Sequence, residues 1–372
     1  MSRLERLIRV EMSRLGAYEI ELPLMQPEGI ITSRQSEFGD DLYKLHDRCG
    51  RVFHLSPTCE ELICAVARST LTPLSRKHLP LMLYQIRTKF RDEPRPCDST
   101  MRCREFTMKD AYSFHEDVDS AVRSYDDFKE SYKRILGLLQ LNYTITNIDM
   151  PGCFEDEFNV SLPVSEGGGH LEIAHIFQLG TSLSKESGLE YEVEGRVKRP
   201  VYMNSYGIGL HRVLYALAAQ HSDGAGLRLP QIIAPYDIAI LLCDVRGRDL
   251  AVKLQKLLAQ RGLDTLLDDS TLPVRQRVAD LRTVGIPHVV YVPGCVGGHA
   301  LRELDGDTSE GIMAGAIASN KYNLGQSYSS ILARSEEGIG DDIMDREVLY
   351  SCRGVDGEFA MTVSRLLGLL CV

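Results

Sequence analysis

A change of rhythm near residue 225 limits what this chain can fold into more than any other feature of its sequence. Ahead of it, segments of alternating apolar residues outnumber helical ones, and 81–91, 104–112, 157–162, 171–179 and 200–206 read as strands. The tight turns available between them suit antiparallel neighbours. Beyond it the order is strand 236–243, helix 248–261, strand 263–268, helix 274–284 and strand 288–292. Strands joined through helices in this way pair in parallel. The Gly-rich, polar stretch 222–230 reads as the linker. The expectation is an α+β domain built on an antiparallel sheet over 1–225, then a smaller α/β domain over 226–297. Residues 298–372 read as a Gly/Ser/Asp-rich extension of unassigned role, with helical pieces at 358–370.

Helices in the first part follow from apolar spacing. Leu4, Leu7, Ile8 and Leu15 make one stripe of a helix over 2–15 that Gly16 stops. Tyr18, Ile20 and Leu22 alternate as a short strand ending at Pro23. A helix over 59–69 follows the turn Ser56-Pro57. The most regular segment is 117–140, where Val118, Val122, Tyr125, Phe128, Tyr132, Ile135 and Leu139 keep a 3.6-residue period and Asp119 favours the N-terminal turn.

Composition removes whole classes of function. With 44% hydrophobic and 25% charged residues the chain is neither fibrous nor disordered, and no apolar run reaches the ~18 residues of a membrane span. The opening Met1-Ser2-Arg3-Leu4-Glu5-Arg6 has neither a secretory h-region nor the acid-poor character of a transit peptide. The ten cysteines are scattered, without a Cys-x-x-Cys pair, which points away from a zinc site or disulfide framework and toward a reducing compartment. A cytoplasmic location is expected, an organelle being the alternative. The formal charge of -10 excludes a generally basic protein, not one with a local basic cluster for nucleic acid.

Two segments carry chemistry. Lys89-Phe90-Arg91-Asp92-Glu93 ends one strand, and after a loop Arg102-x-Arg104-Glu105-Phe106 opens the next. A guanidinium at such a hairpin offers forked donors to a phosphate and a carboxylate together, and Phe106 is able to stack a flat base. Tyr206-Gly207-Ile208-Gly209-Leu210-His211-Arg212 turns a strand into an apolar helix, with glycines that admit close backbone approach and Arg212 in the first turn. It is not a dinucleotide fingerprint, because the third glycine and the distal acid are missing. Taken singly, each is also an ordinary turn with solvated charges.

Together the two segments resemble motifs 2 and 3 of the class II aminoacyl-tRNA synthetases, and the opening helix and strand resemble motif 1. FRDEPRP…MRCREFTMKDAYSFH (90–115), SPTCEE (56–61), LEIAHIFQLGTSLS (171–184) and YGIGLHR (206–212) are similar to the prolyl-tRNA synthetases of bacterial or organellar type. IAPYDIAILLCD (233–244) with LLDD and GIP resembles their anticodon-binding domain.

The resemblance implies a proline–tRNA ligase that uses ATP and Mg²⁺, forms prolyl-adenylate and charges tRNA(Pro) as a homodimer, with no membrane or DNA partner. It implies Arg91 bridging the amino-acid carboxylate and the α-phosphate, and Arg212 on the γ-phosphate. Glu93 and Phe106 would engage adenine, with Glu172 on the ATP or Mg²⁺ side. Thr58 and Glu60 would hold proline's ammonium, and His175, Met108, Tyr112, Phe158 and Ser205 would line the pocket. His175 is also expected at the ATP side. Arg95 would touch the tRNA acceptor end, in a basic stripe with Arg87, Lys89, Arg102 and Arg104. As a local pattern, Thr-x-Glu is more often a helix cap, and only the surrounding motifs promote it.

The chain departs from the pattern in four places. Its motif 2 loop reads Arg95-Pro96-Cys97-Asp98-Ser99-Thr100, short of one arginine and a Phe-Gly turn. Asn204-Ser205 stands where Gly-Cys is usual. Only a short stretch separates Phe158 from Leu171, so no editing insertion, and no hydrolysis of mischarged tRNA in cis, is expected. The chain opens within motif 1. Two alternatives stay open: a paralogue that forms an aminoacyl-adenylate for a non-tRNA acceptor, and a non-catalytic synthetase-derived accessory subunit.

Overall fold

The computed structural model describes residues 1–30, 42–70, 74–97, 101–150, 153–162, 169–193, 197–293, 344, 346–353 and 359–370. These fall into two compact units, Met1–Gln220 and His221–Val372.

The first unit opens with α1 (Ser2–Arg14) and β1 (Tyr18–Glu19). A small antiparallel sheet follows, made of β2 (Met25–Pro27), β3 (Lys44–His46) and β4 (Val52–Leu55) in the order β2-β4-β3. Next come α2 (Glu60–Thr70), β5 (Leu81–Phe90), β6 (Glu105–His115) and α3 (Val118–Leu138). β7 (Tyr143–Met150), β8 (Cys153–Ser161), β9 (His170–Gly180) and the short α4 (Ser182–Glu186) lead into a hairpin of β10 (Glu190–Val193) and β11 (Val197–Pro200). β12 (Tyr202–Gly209) runs directly into α5 (Leu210–Gln220).

The main sheet has the order β1-β5-β6-β12-β9-β8-β7. Every pairing is antiparallel except β1 with β5. α3 covers one face. Its Phe128 ring stacks on Tyr206 at 3.7 Å, and Tyr132 packs against Phe158 at 5.5 Å. Each such buried aromatic contributes roughly 1.5–3 kcal/mol by removal from water. α1 docks on α3 through the buried Glu11, whose carboxylate accepts from Arg134 at 2.9 Å. The other face holds α2 and a separate apolar cluster that includes Leu62, Ile63, Tyr112, Phe114 and Met203.

Asp117 caps α3, accepting the Ser120 N–H at 2.8 Å, and Asp119 lies in the first turn as expected. Other expectations need correction here. Val118 and Val122 are exposed. The buried face of the helix is turned toward Ser124 and Ser131, whose hydroxyls meet Tyr206 Oη and Glu11, so hydrogen bonding carries part of what apolar spacing was expected to carry. β7 and the β10–β11 hairpin had no periodic signal strong enough to anticipate.

In the second unit, β13 (Ile238–Leu242), α6 (Arg248–Gln260), β14 (Thr265–Asp268), α7 (Val274–Val284) and β15 (His288–Val292) follow the anticipated order, with β13 parallel to both β14 and β15. The separate status given to 298–372 does not hold for its described end. β16 (Glu347–Cys352) and β17 (Phe359–Thr362) extend the same sheet antiparallel, in the order β14-β13-β15-β16-β17, and α8 (Val363–Leu370) packs back onto it. The reason is burial. Val348, Tyr350, Val363, Leu366 and Leu367 complete one apolar face with Ile240 and Leu254, which 226–297 alone would leave open. Residues 298–343 lie outside the described set.

His288 at the start of β15 is buried and bonded to Tyr350 Oη at 2.8 Å. Burial takes its imidazole down to about 4, against the small opposing effect of Asp237. An unfolded histidine titrates near ~6.5, so the neutral ring stabilises fully above that pH, and the stabilisation, roughly 3 kcal/mol, is lost as pH falls toward 4. The thermal midpoint should therefore fall between pH 7 and 4.5, and His288→Phe should flatten that fall; parallel slopes for the two proteins would contradict it.

Candidate active site

Strand alternation decides what faces the open side of the main sheet. On β6, Lys109, Ser113 and His115 point toward α3, so Phe106, Met108, Asp110 and Tyr112 point the other way. On β12, Asn204 donates to Ala121 O of α3 at 2.8 Å and Tyr206 stacks under Phe128, which leaves Ser205, Gly207 and Gly209 on the face of Asp110. His175 and Phe177 of β9, with rings stacked at 3.7 Å, lie opposite Gly207 and Ser205.

Three clusters sit along this face. At one end Thr58 and Glu60, at the entry to α2, meet Ser205. Glu60 Oε1 accepts from Ser205 Oγ at 3.1 Å, Oε2 accepts from Thr58 Oγ1, and the carboxylate is buried. Next, Arg91 leaves β5 with its guanidinium 5.4 Å above the Phe106 ring, and its Nη2 donates to Pro57 O at 3.4 Å. A cation over an aromatic face is held in place by the ring's quadrupole. At the other end Arg212, in the first turn of α5, donates to Glu172 O at 3.0 Å and stands 3.5 Å from its carboxylate. His211 beside it accepts the Thr107 N–H at 2.9 Å through Nδ1, pinning the helix start to β6.

A register shift explains the position of Glu172. Phe158 pairs with Ala174 but Asn159 pairs with Glu172, so Ile173 is an extra residue on β9. Such a bulge re-aims a side chain. It brings Glu172 Oε1 to 3.1 Å from His175 Nδ1, while His175 Nε2 lies 3.3 Å from Glu155. Burial pushes the Glu172 carboxyl up, but the bond and charge of His175, with the Arg212 and Arg91 guanidiniums, outweigh it and hold the carboxyl below its ordinary value. One carboxylate thus feels both arginines.

Not every expected residue joins. Phe158 lies on the α3 face between Tyr132 and Tyr143, because β8 alternates and its neighbours Glu155 and Glu157 take the open face; its assignment to the pocket is withdrawn. Tyr112 is buried behind the surface, its hydroxyl accepting the Cys59 N–H. Met108 is half-buried near Gly207, where an added Cβ would stand 3.9 Å from its sulfur. Glu93 turns toward the hairpin loop, accepting the Arg95 N–H at 3.0 Å, and Arg95 itself is exposed. The basic stripe is not continuous. Lys89 is fully buried against Asp110, while Arg87, Arg102 and Arg104 face Glu21, Glu93 and Asp92. Loop residues 98–100 lie outside the described set. Asp110, Gln85 and Phe177 were missed, although strand alternation puts Asp110 on the same face as Phe106, Met108 and Tyr112.

Comparisons with known proteins bear on the family and the fold. Residues 43–221 match the tRNA synthetase class II core domain (G, H, P, S and T). A proline–tRNA ligase of Anaplasma marginale is 30% identical over 341 residues, covering 78% of this chain and 80% of the relative. The chain belongs to the proline–tRNA ligase family of class II synthetases. The corresponding ligase of Sulfurimonas denitrificans is 27% identical, covering 84% of this chain and 85% of its own. In fold, the chain resembles the Giardia lamblia prolyl-tRNA synthetase solved with prolyl-adenylate, with a TM-score of 0.76 at 18% identity over 98% of this chain and 69% of that one. The Cryptosporidium parvum enzyme solved with halofuginone and AMPPNP also has a TM-score of 0.76, at 16% identity over 99% and 68%.

Because Phe158 is core and not pocket, Phe158→Ala should cost about 3–5 kcal/mol of stability in urea unfolding. Phe158→Leu, which keeps most of the volume, should leave the KM for an amino-acid substrate unchanged; a selective rise in that KM would return the residue to the pocket.

Proposed function

We propose that this chain is a proline–tRNA ligase: it activates proline with ATP and transfers it to tRNA(Pro). The observation that carries the reading is that Arg91, seated over Phe106, and Arg212, bonded to Glu172 O at 3.0 Å, come from distant stretches of sequence to the same open sheet face. Two guanidiniums spaced along one open sheet face suit a triphosphate laid across it.

The chemistry needs positioning and charge stabilisation more than covalent catalysis. A proline carboxylate oxygen attacks the α-phosphorus and pyrophosphate leaves in line. Arg91, seated on Phe106, bridges the attacking carboxylate and the α-phosphate, where negative charge accumulates. Arg212 holds the γ-phosphate. Phe106 and Glu93 take the adenine, Glu93 after turning from its Arg95 contact. Glu60, already held by Thr58 and Ser205, receives the substrate's ammonium, so two charges are desolvated together and not one alone. A terminal ribose hydroxyl of tRNA then attacks the carbonyl of the mixed anhydride and AMP leaves.

Glu172 and Glu155 on either side of His175 supply hard oxygen donors, which fit a Mg²⁺ ion bound mainly through phosphate oxygens. Among the described residues no group of three or more side chains forms a metal cage of its own. When bound, the ion would offset phosphate charge. Homodimerisation through α1 and β1, where Val10 and Tyr18 are exposed, and a cytoplasmic location complete the reading. Arg95 is assigned to the acceptor end of tRNA, and the second unit to the anticodon.

Proline-dependent exchange of pyrophosphate into ATP tests the first step. Arg91→Ala should lower it roughly 10²–10³-fold, the scale for losing a donor to developing charge, with the fold retained. Transfer to tRNA(Pro) should drop when its anticodon is altered. Exchange with no amino acid at all would refute the assignment.

A further inference from the structure

Cys59 stands between Thr58 and Glu60. Ser56 Oγ lies 3.1 Å from its sulfur and Gln26 Nε2 3.7 Å, and its other contacts come from one buried group. Its backbone N–H donates to Tyr112 Oη at 3.1 Å, and that phenol donates to Asp110 Oδ2 at 2.9 Å. Its sulfur accepts from Gln85 Nε2 at 3.2 Å and Lys89 Nζ at 3.6 Å. Gln85 in turn donates to Asp110 Oδ2 at 2.8 Å, and Lys89 lies 2.8 Å from Oδ1. Lys89 is 0% exposed and Asp110 3%. One carboxylate thus gathers an ammonium, an amide and a phenol, and all three also reach the middle residue of the Thr58–Glu60 turn.

A buried ion pair is a poor source of stability, since desolvating both ions offsets most of their attraction. Its worth lies in fixed geometry. Glu60 is able to meet a substrate ammonium only if its backbone is held to within a fraction of an ångström, and a short loop entering a helix does not do this alone.

We infer that Asp110, acting through Tyr112, Gln85 and Lys89 on Cys59, is a positioning residue that sets the Thr58–Glu60 turn for the amino-acid substrate. The inference rests on the proposed amino-acid activation and adds to it the support beneath its ammonium site. Asp110 and Lys89 touch no substrate; they act through the turn.

The test is amino-acid-dependent pyrophosphate exchange, with KM for proline and for ATP measured separately. Tyr112→Phe keeps the ring and the ion pair but cuts the link to the Cys59 N–H. It should raise the KM for proline about tenfold, the scale of a lost hydrogen bond linked to a charged group, with KM for ATP within about twofold and little change in thermal midpoint. Asp110→Asn should show the same split more strongly, though its stranded Lys89 also lowers stability. The double variant should be no worse for proline than Asp110→Asn alone, because both cut one chain of bonds. An unchanged proline KM in Tyr112→Phe, an equal rise in both KM values, or additive effects in the double variant would overturn the inference while leaving the ligase reading intact. Absence of exchange by the unaltered chain with any amino acid would overturn both.

Discussion

The two-sidedness of β6 governs this molecule. Neighbouring residues Lys109 and Asp110 are both buried and point to opposite faces of the sheet, one into the packed layer under α3 and the other beneath the open surface. Slipping the strand by one residue would exchange every side chain between the two. The register is pinned on both sides, by β5 over Leu81–Phe90 and by β12 over Tyr202–Gly209. Core and candidate site are therefore two readings of one strand, and neither is able to move without the other.

The same strand shows how surroundings set charge. Burial pushes Lys109 well below the ordinary lysine value, and the residue donates to Tyr132 Oη at 2.6 Å and Tyr206 O at 3.1 Å among aromatic rings. Burial acts on Lys89 in the same direction, yet Asp110 and the Cys59 sulfur raise it above its ordinary value. A unit charge at about 4 Å is worth roughly 4 kcal/mol at an effective dielectric of 20, enough to reverse the sign. The face that handles ions pairs its lysine with a carboxylate; the face that handles packing holds its lysine among aromatic rings, where burial lowers its proton affinity.

Much of the fold was legible in sequence where periodicity was strong. The βαβαβ order of the second unit, α3, and the β5–β6 hairpin all follow from apolar spacing. What escaped depended on contacts between distant segments. β16 and β17 are recognised only through the unfilled face of the sheet they join, and the bulge at Ile173 appears only when β8 is laid beside β9. The candidate site divides the same way. Arg91, Arg212, Thr58 and Glu60 belong to ordered motifs and were named from them. Phe158 was misplaced and Asp110 passed over because residue type was weighed without following alternation along β8 and β6.

The Asn204-Ser205 pair shows why a departure from the family pattern need not mean loss of the site. Asn204 Nδ2 donates to Ala121 O at 2.8 Å, which ties β12 to α3, and to Tyr206 Oη at 2.9 Å within β12, two bonds that a small residue would not make. Ser205 presents a hydroxyl to Glu60 where a thiol, a weaker donor, is usual. Both changes tighten the strand that carries Gly207 and leads into Arg212. The ammonium end and the phosphate end of the surface are thereby joined through one stiff element. An open groove needs such stiffness, because only its walls hold Glu60 and Arg212 at a fixed separation before a ligand arrives.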